Sequence, residues 1–312
     1  MASFKDKIEV KIEAFINWMK KATVPGFRGQ SLFYVSRYFV RSMFNDDLIL
    51  RASSLAFNFF LAIFPATIFL FTAIAYIPLE NLHADILAYF ENLLPHNAYQ
   101  TLSSTIADIL KIQRGDLLSF GFAAAIFFSS NGFLSMLSSF QKYTPKEKRR
   151  TWYMLRLRSI FVTILVASML ILSILVITYI TITMGWLNEK NILKGWLYSF
   201  GLQSLEYVSV FSLFYFIISA LYYFGSQKGR QWSFFTPGGT VATLLSVLTT
   251  FGFAYYVNSF NSYNKLYGSI GTLIALMILI YFHCIVVLIG FELNSSIDLA
   301  EERASQKKNI AR

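Results

Sequence analysis

Cysteine and histidine are scarce in this 312-residue chain, which limits the chemistry that it can perform. Cys284 is the single cysteine, so no disulfide can form within the chain. His83 and His96 fall in a predicted extramembrane loop and His283 in a predicted span, so the three cannot combine in one metal site. The sequence also contains no phosphate-binding G-x-x-x-x-G-K loop and no G-x-S-x-G nucleophile elbow. We therefore predict that the protein is not an enzyme and that it binds no metal or cofactor.

Charged residues are also few. They make up 14% of the chain, against about 25% in an average soluble domain, whereas 55% of residues are hydrophobic. The segment Leu55–Ile77 carries no charge and, at about 1.5 Å per residue, reaches across a hydrocarbon layer of roughly 30 Å. Five more apolar segments follow, so we predict an integral membrane protein with an all-α fold, a bundle of six transmembrane helices over residues 52–292. The predicted spans are residues 55–77, 117–140, 160–184, 204–224, 237–260 and 269–290.

Other parts of the chain are too polar to cross a membrane. Residues 1–51 place apolar side chains at helical spacing between charged ones, which predicts an amphipathic segment on the cytoplasmic membrane surface. Residues 78–116 repeat that spacing on both sides of Pro95 and predict two amphipathic helices outside the membrane on the opposite side. Residues 261–268 are predicted to form a tight turn. Residues 293–312 are predicted to be a charged, soluble cytoplasmic tail.

The positive charges are unevenly divided among the connections between spans. Of the 27 Lys and Arg residues, 22 fall in the two terminal segments and in the loops 141–159 and 225–236, and 5 fall in the other three connections. Basic connections remain in the cytoplasm, so we predict that both termini are cytoplasmic. The net charge of +10 is then a topology signal, and we predict contact with membrane lipids and no nucleic-acid partner.

Some residues in the predicted spans are candidates either for a polar path or for helix packing. Proline inside a span predicts a kink, because neighbouring helices can satisfy the carbonyl group that it frees. A histidine in a span can titrate or bind a ligand, or it can simply bond to a neighbouring hydroxyl. Amide and carboxylate side chains near the ends of spans can join helices or reach the headgroups. The candidates are Asn58, Pro65, Asn131, Glu206, Asn258 and His283.

An ion pair is predicted between Arg51 and Glu292. Arg51 comes just before the first span and Glu292 just after the sixth, so both lie at the same depth on the cytoplasmic side. A planar guanidinium can bind a carboxylate through two parallel hydrogen bonds. The alternative is that each side chain extends separately into the headgroups.

Three stretches resemble the YihY/virulence factor BrkB family: RASSLAFNFFLAIFPATIF, PGGTVATLLSVLTTFGFAYYV and above all YGSIGTLIALMILIYFHCIVVLIGFELN. The resemblance runs from about residue 32 to residue 294. It implies a bacterial inner-membrane protein, for which transport or resistance roles have been proposed and to which an old label, ribonuclease BN, was attached. The residues argue against that label, because a metal-dependent nuclease needs clustered His and carboxylate ligands.

Two functions remain open. A transporter or permease for a small solute or a lipid is favoured by six spans, the predicted kink and the polar residues within the spans. The alternative is a membrane scaffold that does not transport and that binds envelope partners through residues 78–116. A transporter should contain a polar cavity that reaches the middle of the membrane, whereas a scaffold should be a filled bundle. The oligomeric state is not predicted.

Overall fold

The computed structural model describes residues 4–45, 47–74, 115–141, 149–190, 195–226, 233–259 and 261–310. Within these ranges the chain forms eight α-helices and no β-strand, which confirms the predicted all-α fold. The helices are α1 (Phe4–Lys21), α2 (Leu32–Asn45), α3 (Leu48–Ile74), α4 (Gly115–Phe140), α5 (Trp152–Glu189), α6 (Trp196–Gly225), α7 (Pro237–Ser259) and α8 (Asn261–Ile310). The two helices predicted for residues 78–116 fall almost entirely outside these ranges.

Helices α3 to α8 are each long and apolar enough to cross a membrane, which confirms the prediction of six candidate spans. Each of them packs against the next one along the chain, and α8 also packs against α3. The six helices therefore form a closed ring in chain order. The helix α2 lies outside this ring and packs against α8.

One end of the ring gathers the starts of α3, α5 and α7 and the ends of α4 and α6. Arg51 at the start of α3 lies 3.4 Å from the carbonyl oxygen of Ser139 near the end of α4. Arg150 just before α5 donates to the carbonyl oxygen of Ser226, just after α6, at 2.8 Å. We call this end the basic end, because these arginines lie there. The other end of the ring is called the opposite end.

Several helix bounds differ from the sequence predictions. Helix α5 begins at Trp152 rather than at residue 160, because Arg156 and Arg158 bond to neighbouring helices and not only to solvent. The turn predicted at residues 261–268 is wrong, since the backbone there belongs to α8. That segment holds no proline and one glycine, and a helix satisfies its own backbone groups within a membrane. Residues 293–310, predicted as a soluble tail, continue α8.

The N-terminal segment packs on this continuation of α8. A turn joins α1 to α2, and within it Gly26 (φ +88°) and Gly29 (φ +76°) adopt left-handed backbone conformations that favour glycine. Behind the turn, Phe27 and Val35 form a small apolar core with Ile297 and Ala300 of α8. The predicted helical character of residues 1–51 is thus present, and part of its apolar surface is buried against protein.

The main apolar core lies at the basic end. It is built from the first turns of α3, the last turns of α4 and α6, and the middle of α8, with two residues from α5 and one from α7. The rings of Phe140 on α4 and Phe291 on α8 stack with their centroids 4.0 Å apart. Because α8 supplies the largest share of this core, its middle segment positions the polar groups described next.

Candidate functional site at the basic end

Helix α8 is largely enclosed from Cys284 to Ala300, where no side chain is exposed and four are partly exposed, namely Ile285, Ile289, Leu293 and Leu299. The stretch is nevertheless rich in polar groups. Five of them are only 0–3% exposed, namely Glu292, Asn294, Ser295, Ser296 and Asp298. A buried polar group without a partner costs about 1–3 kcal/mol, and an unpaired charge costs more. Neighbouring elements must therefore supply partners to α8 at this level.

The carboxylate of Glu292 is the centre of this cluster and is completely buried. The Arg51 guanidinium donates through Nη2 to Glu292 Oε1 at 2.5 Å, so the two residues of the predicted ion pair are in contact. The Ser42 hydroxyl donates to the other carboxylate oxygen. Arg51 Nη1 also points at the carbonyl oxygen of Ser139. One ion pair thus joins α2, α3, α4 and α8, and it neutralises a charge that would otherwise be buried alone.

A second polar contact joins α8 to the start of α7. Asn294 accepts a hydrogen bond from the backbone N–H of Gly238 at 2.8 Å and donates to the hydroxyl of Thr236 at 3.0 Å. That hydroxyl in turn accepts from the backbone N–H of Gly239. The first N–H groups of a helix have no partner inside the helix, so Asn294 and Thr236 cap α7. Pro237 takes the first position of α7, where its missing N–H is not needed.

The backbones of α7 and α8 touch at this point. A Cβ atom added to Gly238 would lie 2.0 Å from the carbonyl oxygen of Gly290, and one added to Gly290 would lie 2.4 Å from that of Gly238. Tyr222 of α6 donates its hydroxyl to the carbonyl oxygen of Val287 at 2.6 Å, directly beside this crossing. Glycine is therefore required on both helices for α6, α7 and α8 to approach so closely.

A third contact lies where α8 leaves the ring. Arg28, in the turn between α1 and α2, donates to the carboxylates of Asp298 and Glu301, each at 3.0 Å. The Asp298 side chain is 4% exposed and the Glu301 side chain 44% exposed. The N-terminal turn is thus held to α8 by one buried and one exposed carboxylate.

Arginines also bind the last carbonyl groups of α6. Arg150 donates to the carbonyl oxygens of Phe224 and Ser226, and Arg158 donates to that of Phe224. Burial, with the positive charge of Arg158 as a second cause, lowers the pKa of Arg150 from 12.5 to about 10, so it remains cationic at pH 7. Cations at the C-terminal end of a helix satisfy its free carbonyl groups and complement its dipole.

A groove of about 440 Å³ opens beside the ion pair, between α3 and α4. Four serine hydroxyls line it with Arg51 and with Trp152 at the start of α5, namely those of Ser54, Ser135, Ser138 and Ser139. The groove gives the basic end a polar recess on its outer surface.

The candidates from the spans bond to neighbouring helices. Asn58 of α3 donates to the hydroxyl of Ser135 on α4 at 3.1 Å. Asn131 of α4 accepts from Arg156 of α5 at 2.5 Å. His283 lies between Thr250, whose hydroxyl is 3.3 Å from His283 Nε2, and Phe214, on which its ring stacks.

The remaining candidates carry less information. Pro65 lies inside α3, which continues through it, and the predicted kink stays a prediction. Glu206 and Asn258 belong to α6 and α7, but their side chains lie outside the described part of the structure. No three His, Cys, Asp or Glu side chains of the described ranges group as metal ligands would, and His83 and His96 lie outside those ranges.

Most of the contacts at the basic end were not predicted. Gly290 and Asn294 stand in GFELN, the end of the third quoted stretch, but the resemblance assigned them no role. The one usable signal for Asp298 was the apolar spacing of Leu293, Ile297 and Ala300, which continues a helical pattern beyond the predicted span.

These features define a polytopic helical membrane protein with a polar cluster at one end of its bundle. The sequence pattern of the Virulence factor BrkB family matches residues 39–311, and the chain belongs to that family.

Several curated proteins are similar to the chain. The "Putative ribonuclease-like protein YfkH" of Bacillus subtilis is 30% identical over 251 residues, which are 78% of this chain and 88% of that protein. A UPF0761 membrane protein of Vibrio campbellii is 25% identical over 84% of this chain and 81% of its own length. Another from Vibrio vulnificus is 25% identical over 86% of this chain and 84% of its own length. No solved structure matches the chain.

Proposed function

We propose that the protein is a transporter or permease for a small solute or a lipid in a bacterial inner membrane, with both termini in the cytoplasm. The observation that carries the proposal is a change of packing along α8. From Leu273 to His283 no side chain is buried, whereas from Cys284 to Ala300 none is exposed. Side-chain burial is therefore greatest at the basic end and lower towards the opposite end, which we call the loosely packed half.

In other helices of the ring, buried side chains are likewise concentrated at the basic end. The buried apolar residues of α3 and α4 lie mainly within 48–56 and 133–140, and those of α6 within 218–222. A transporter that is closed on one side needs this asymmetry, because a packed layer must separate the two compartments while the other half admits the solute. The division of Lys and Arg supports a cytoplasmic basic end, and the loosely packed half would then face outwards.

The character of the loosely packed half favours a solute with an apolar part. Its side chains are mainly aliphatic and aromatic, and Thr250 and His283 provide a polar contact among them. The serine-lined groove beside Arg51 supplies polar groups at the level of the basic end. The groove lies at the basic end and a second cavity lies beside the N-terminal helices, so the proposal does not rest on a polar cavity at mid-membrane. Apolar surroundings with polar groups near the membrane surface suit an amphiphile such as a lipid.

Cysteine accessibility tests the proposal. Cys284→Ser gives a chain without cysteine, and single cysteines are then placed at each position from Leu273 to His283. A membrane-impermeant maleimide reacts only where water reaches a thiolate, so labelling from outside should recur with a helical period along one face. Control cysteines at Val286, Val287 and Leu288, in the packed layer, should stay unlabelled. If no position between 273 and 283 reacts, the bundle is filled and the proposal fails.

A second assay distinguishes lipid from solute. The purified protein is placed in vesicles that contain a fluorescent phospholipid, and dithionite then quenches the label on the outer leaflet. Loss of fluorescence from the inner leaflet, beyond that of protein-free vesicles, identifies a lipid as the cargo. The scaffold hypothesis depends on residues 78–116, of which the structure describes only Gly115 and Asp116. We propose no nuclease activity, because His283 falls in a span and the other two histidines fall in the extramembrane segment 78–116 predicted from the sequence.

A further inference from the structure

A basic cleft of about 420 Å³ lies between the N-terminal helices and the last part of α8. It is separate from the ion pair and from the groove described above. Four of its lining residues are cationic and none is acidic. The cations are Lys20, Arg37, Arg41 and Arg303, and all four side chains are exposed.

The spacing of the lining residues on α2 puts them on one face of the helix. Tyr34, Arg37, Tyr38 and Arg41 follow one another at intervals of three, one and three residues, which places them in a single stripe. Ala300, Arg303 and Ala304 form the matching stripe on α8. The two small alanine side chains leave the space that the cleft occupies.

Ring contacts hold two of the cations at the cleft. The Arg303 guanidinium lies over the ring of Tyr38, 5.0 Å from its centroid, and Lys20 lies over the ring of Phe33 at 5.5 Å. Such contacts attract a cation without neutralising it. The nearby carboxylate of Glu301 is engaged by Arg28. None of the ion pairs formed within the described ranges involves the four cations of the cleft.

A hydroxyl group at the cleft also lacks a partner. Ser31 lines the cleft, and its buried Oγ makes no hydrogen bond with the described part of the chain. Because that oxygen has almost no accessible surface, a ligand in the cleft can accept a hydrogen bond from it only after the Ser31 side chain rotates.

We propose that this cleft binds an anion that carries phosphate groups, and that it fits one with two of them. Guanidinium groups bind phosphate oxygens through pairs of hydrogen bonds, and four cations balance the charge of two phosphates. The volume of the cleft lies within the usual range of about 300–1,000 Å³ for ligand sites. The phosphates can belong to a lipid headgroup or to a soluble diphosphate. The inference does not depend on the proposed transport function.

Two binding assays on the full-length protein separate these sources. Inorganic pyrophosphate is titrated into the protein in a neutral detergent and followed by calorimetry. In the other assay, the protein is released from nanodiscs that contain cardiolipin, whose headgroup carries two phosphates, and phosphatidylcholine, and native mass spectrometry counts the lipids that it retains. Binding of pyrophosphate identifies a soluble source, and selective retention of cardiolipin identifies a lipid headgroup.

The variant that tests the cleft is R37Q/R41Q. It is matched by K11Q/K21Q, which removes two exposed cations of α1 that do not line the cleft. A hydrogen bond to a charged group contributes about 1.5–3 kcal/mol, so the cleft variant should lose at least roughly tenfold in affinity. The matched variant should stay within about twofold of the wild type, and neither should change the melting temperature. Binding in neither assay, or an equal loss in both variants, would overturn the proposal.

Discussion

Replacing Glu292 by Gln should destabilise the protein by about 3 kcal/mol. Glutamine keeps the size of the side chain and one acceptor oxygen but removes the negative charge. Arg51 is then left as a cation whose other contact is the carbonyl oxygen of Ser139. Breaking a buried ion pair by removing one partner costs about 3–5 kcal/mol. The lower end applies here, because the Arg51 side chain is 15% exposed beside the serine-lined groove and water can reach part of it.

A double-mutant cycle isolates the pair. Unfolding free energies are measured in detergent for the wild type, Arg51→Gln, Glu292→Gln and the double variant. Because Arg51 loses its main partner when Glu292 is changed, the second substitution should add little. The coupling energy should therefore lie in the upper part of the range of about 0.5–3 kcal/mol seen for contacting residues.

Glu301→Gln is the matched control for this cycle. It makes the same chemical change on the same helix, but its partner Arg28 is 39% exposed and Glu301 itself 44%. Exposed ion pairs contribute about 0–1 kcal/mol, so this variant should be close to the wild type. A loss for Glu292→Gln no larger than that for Glu301→Gln would refute the reasoning. Fully additive losses of Arg51→Gln and Glu292→Gln would do the same.

Three further changes test the helix crossings and the orientation. Gly290→Ala puts a Cβ 2.4 Å from a carbonyl oxygen of α7 and should destabilise the protein by about 1–3 kcal/mol or more, seen as a lower melting temperature. The control Gly252→Ala, whose Cβ would have no atom within 4 Å, should leave the melting temperature unchanged. Equal losses in both variants would contradict this. Tyr222→Phe removes a buried hydrogen bond that contributes about 1 kcal/mol, so it should lower the melting temperature slightly. An unchanged melting temperature would argue against this contribution. A cysteine placed beside Arg149 should react with a maleimide only from the cytoplasmic side, and labelling from outside would reverse the proposed orientation.

The six spans were predictable because each is a long apolar stretch, and hydropathy alone identifies such stretches. The ends of the helices were less predictable. A window of hydropathy starts the third span after Arg156 and Arg158, at residue 160, but α5 includes both, and these side chains bond to Asn131 and to the carbonyl oxygen of Phe224. Whether a helix continues through charged residues depends on hydrogen-bond partners in other helices, and the local sequence does not show which partners those are.

The contact between Arg51 and Glu292 was predictable for a specific reason. Membrane spans fix the depth of the residues at their ends, so two opposite charges at one depth become candidates for pairing before the packing is known. The contact of Asn294 with Gly238 offered no such clue. It joins a side chain to a backbone N–H, and every residue except proline has that donor. Only the docking of α7 against α8 selects Gly238.

The polar groups on α8 explain how one helix can organise the whole basic end. A helix turns by about 100° per residue, so Asn294 points about 200° away from Glu292, whereas Asp298 returns to within about 40° of Asn294. Glu292 therefore faces α2 and α3, and Asn294 and Asp298 face the start of α7 and the N-terminal turn on the other side. An enclosed helix with polar groups on both sides must have partners on both sides. Any movement that opens the packed layer must break these contacts or carry their partners along with α8. If the protein transports as proposed, Glu292→Gln, which weakens the contacts of α8 with α2 and α3, should therefore increase maleimide labelling of a cysteine at position 288. The control Glu301→Gln should leave that labelling unchanged.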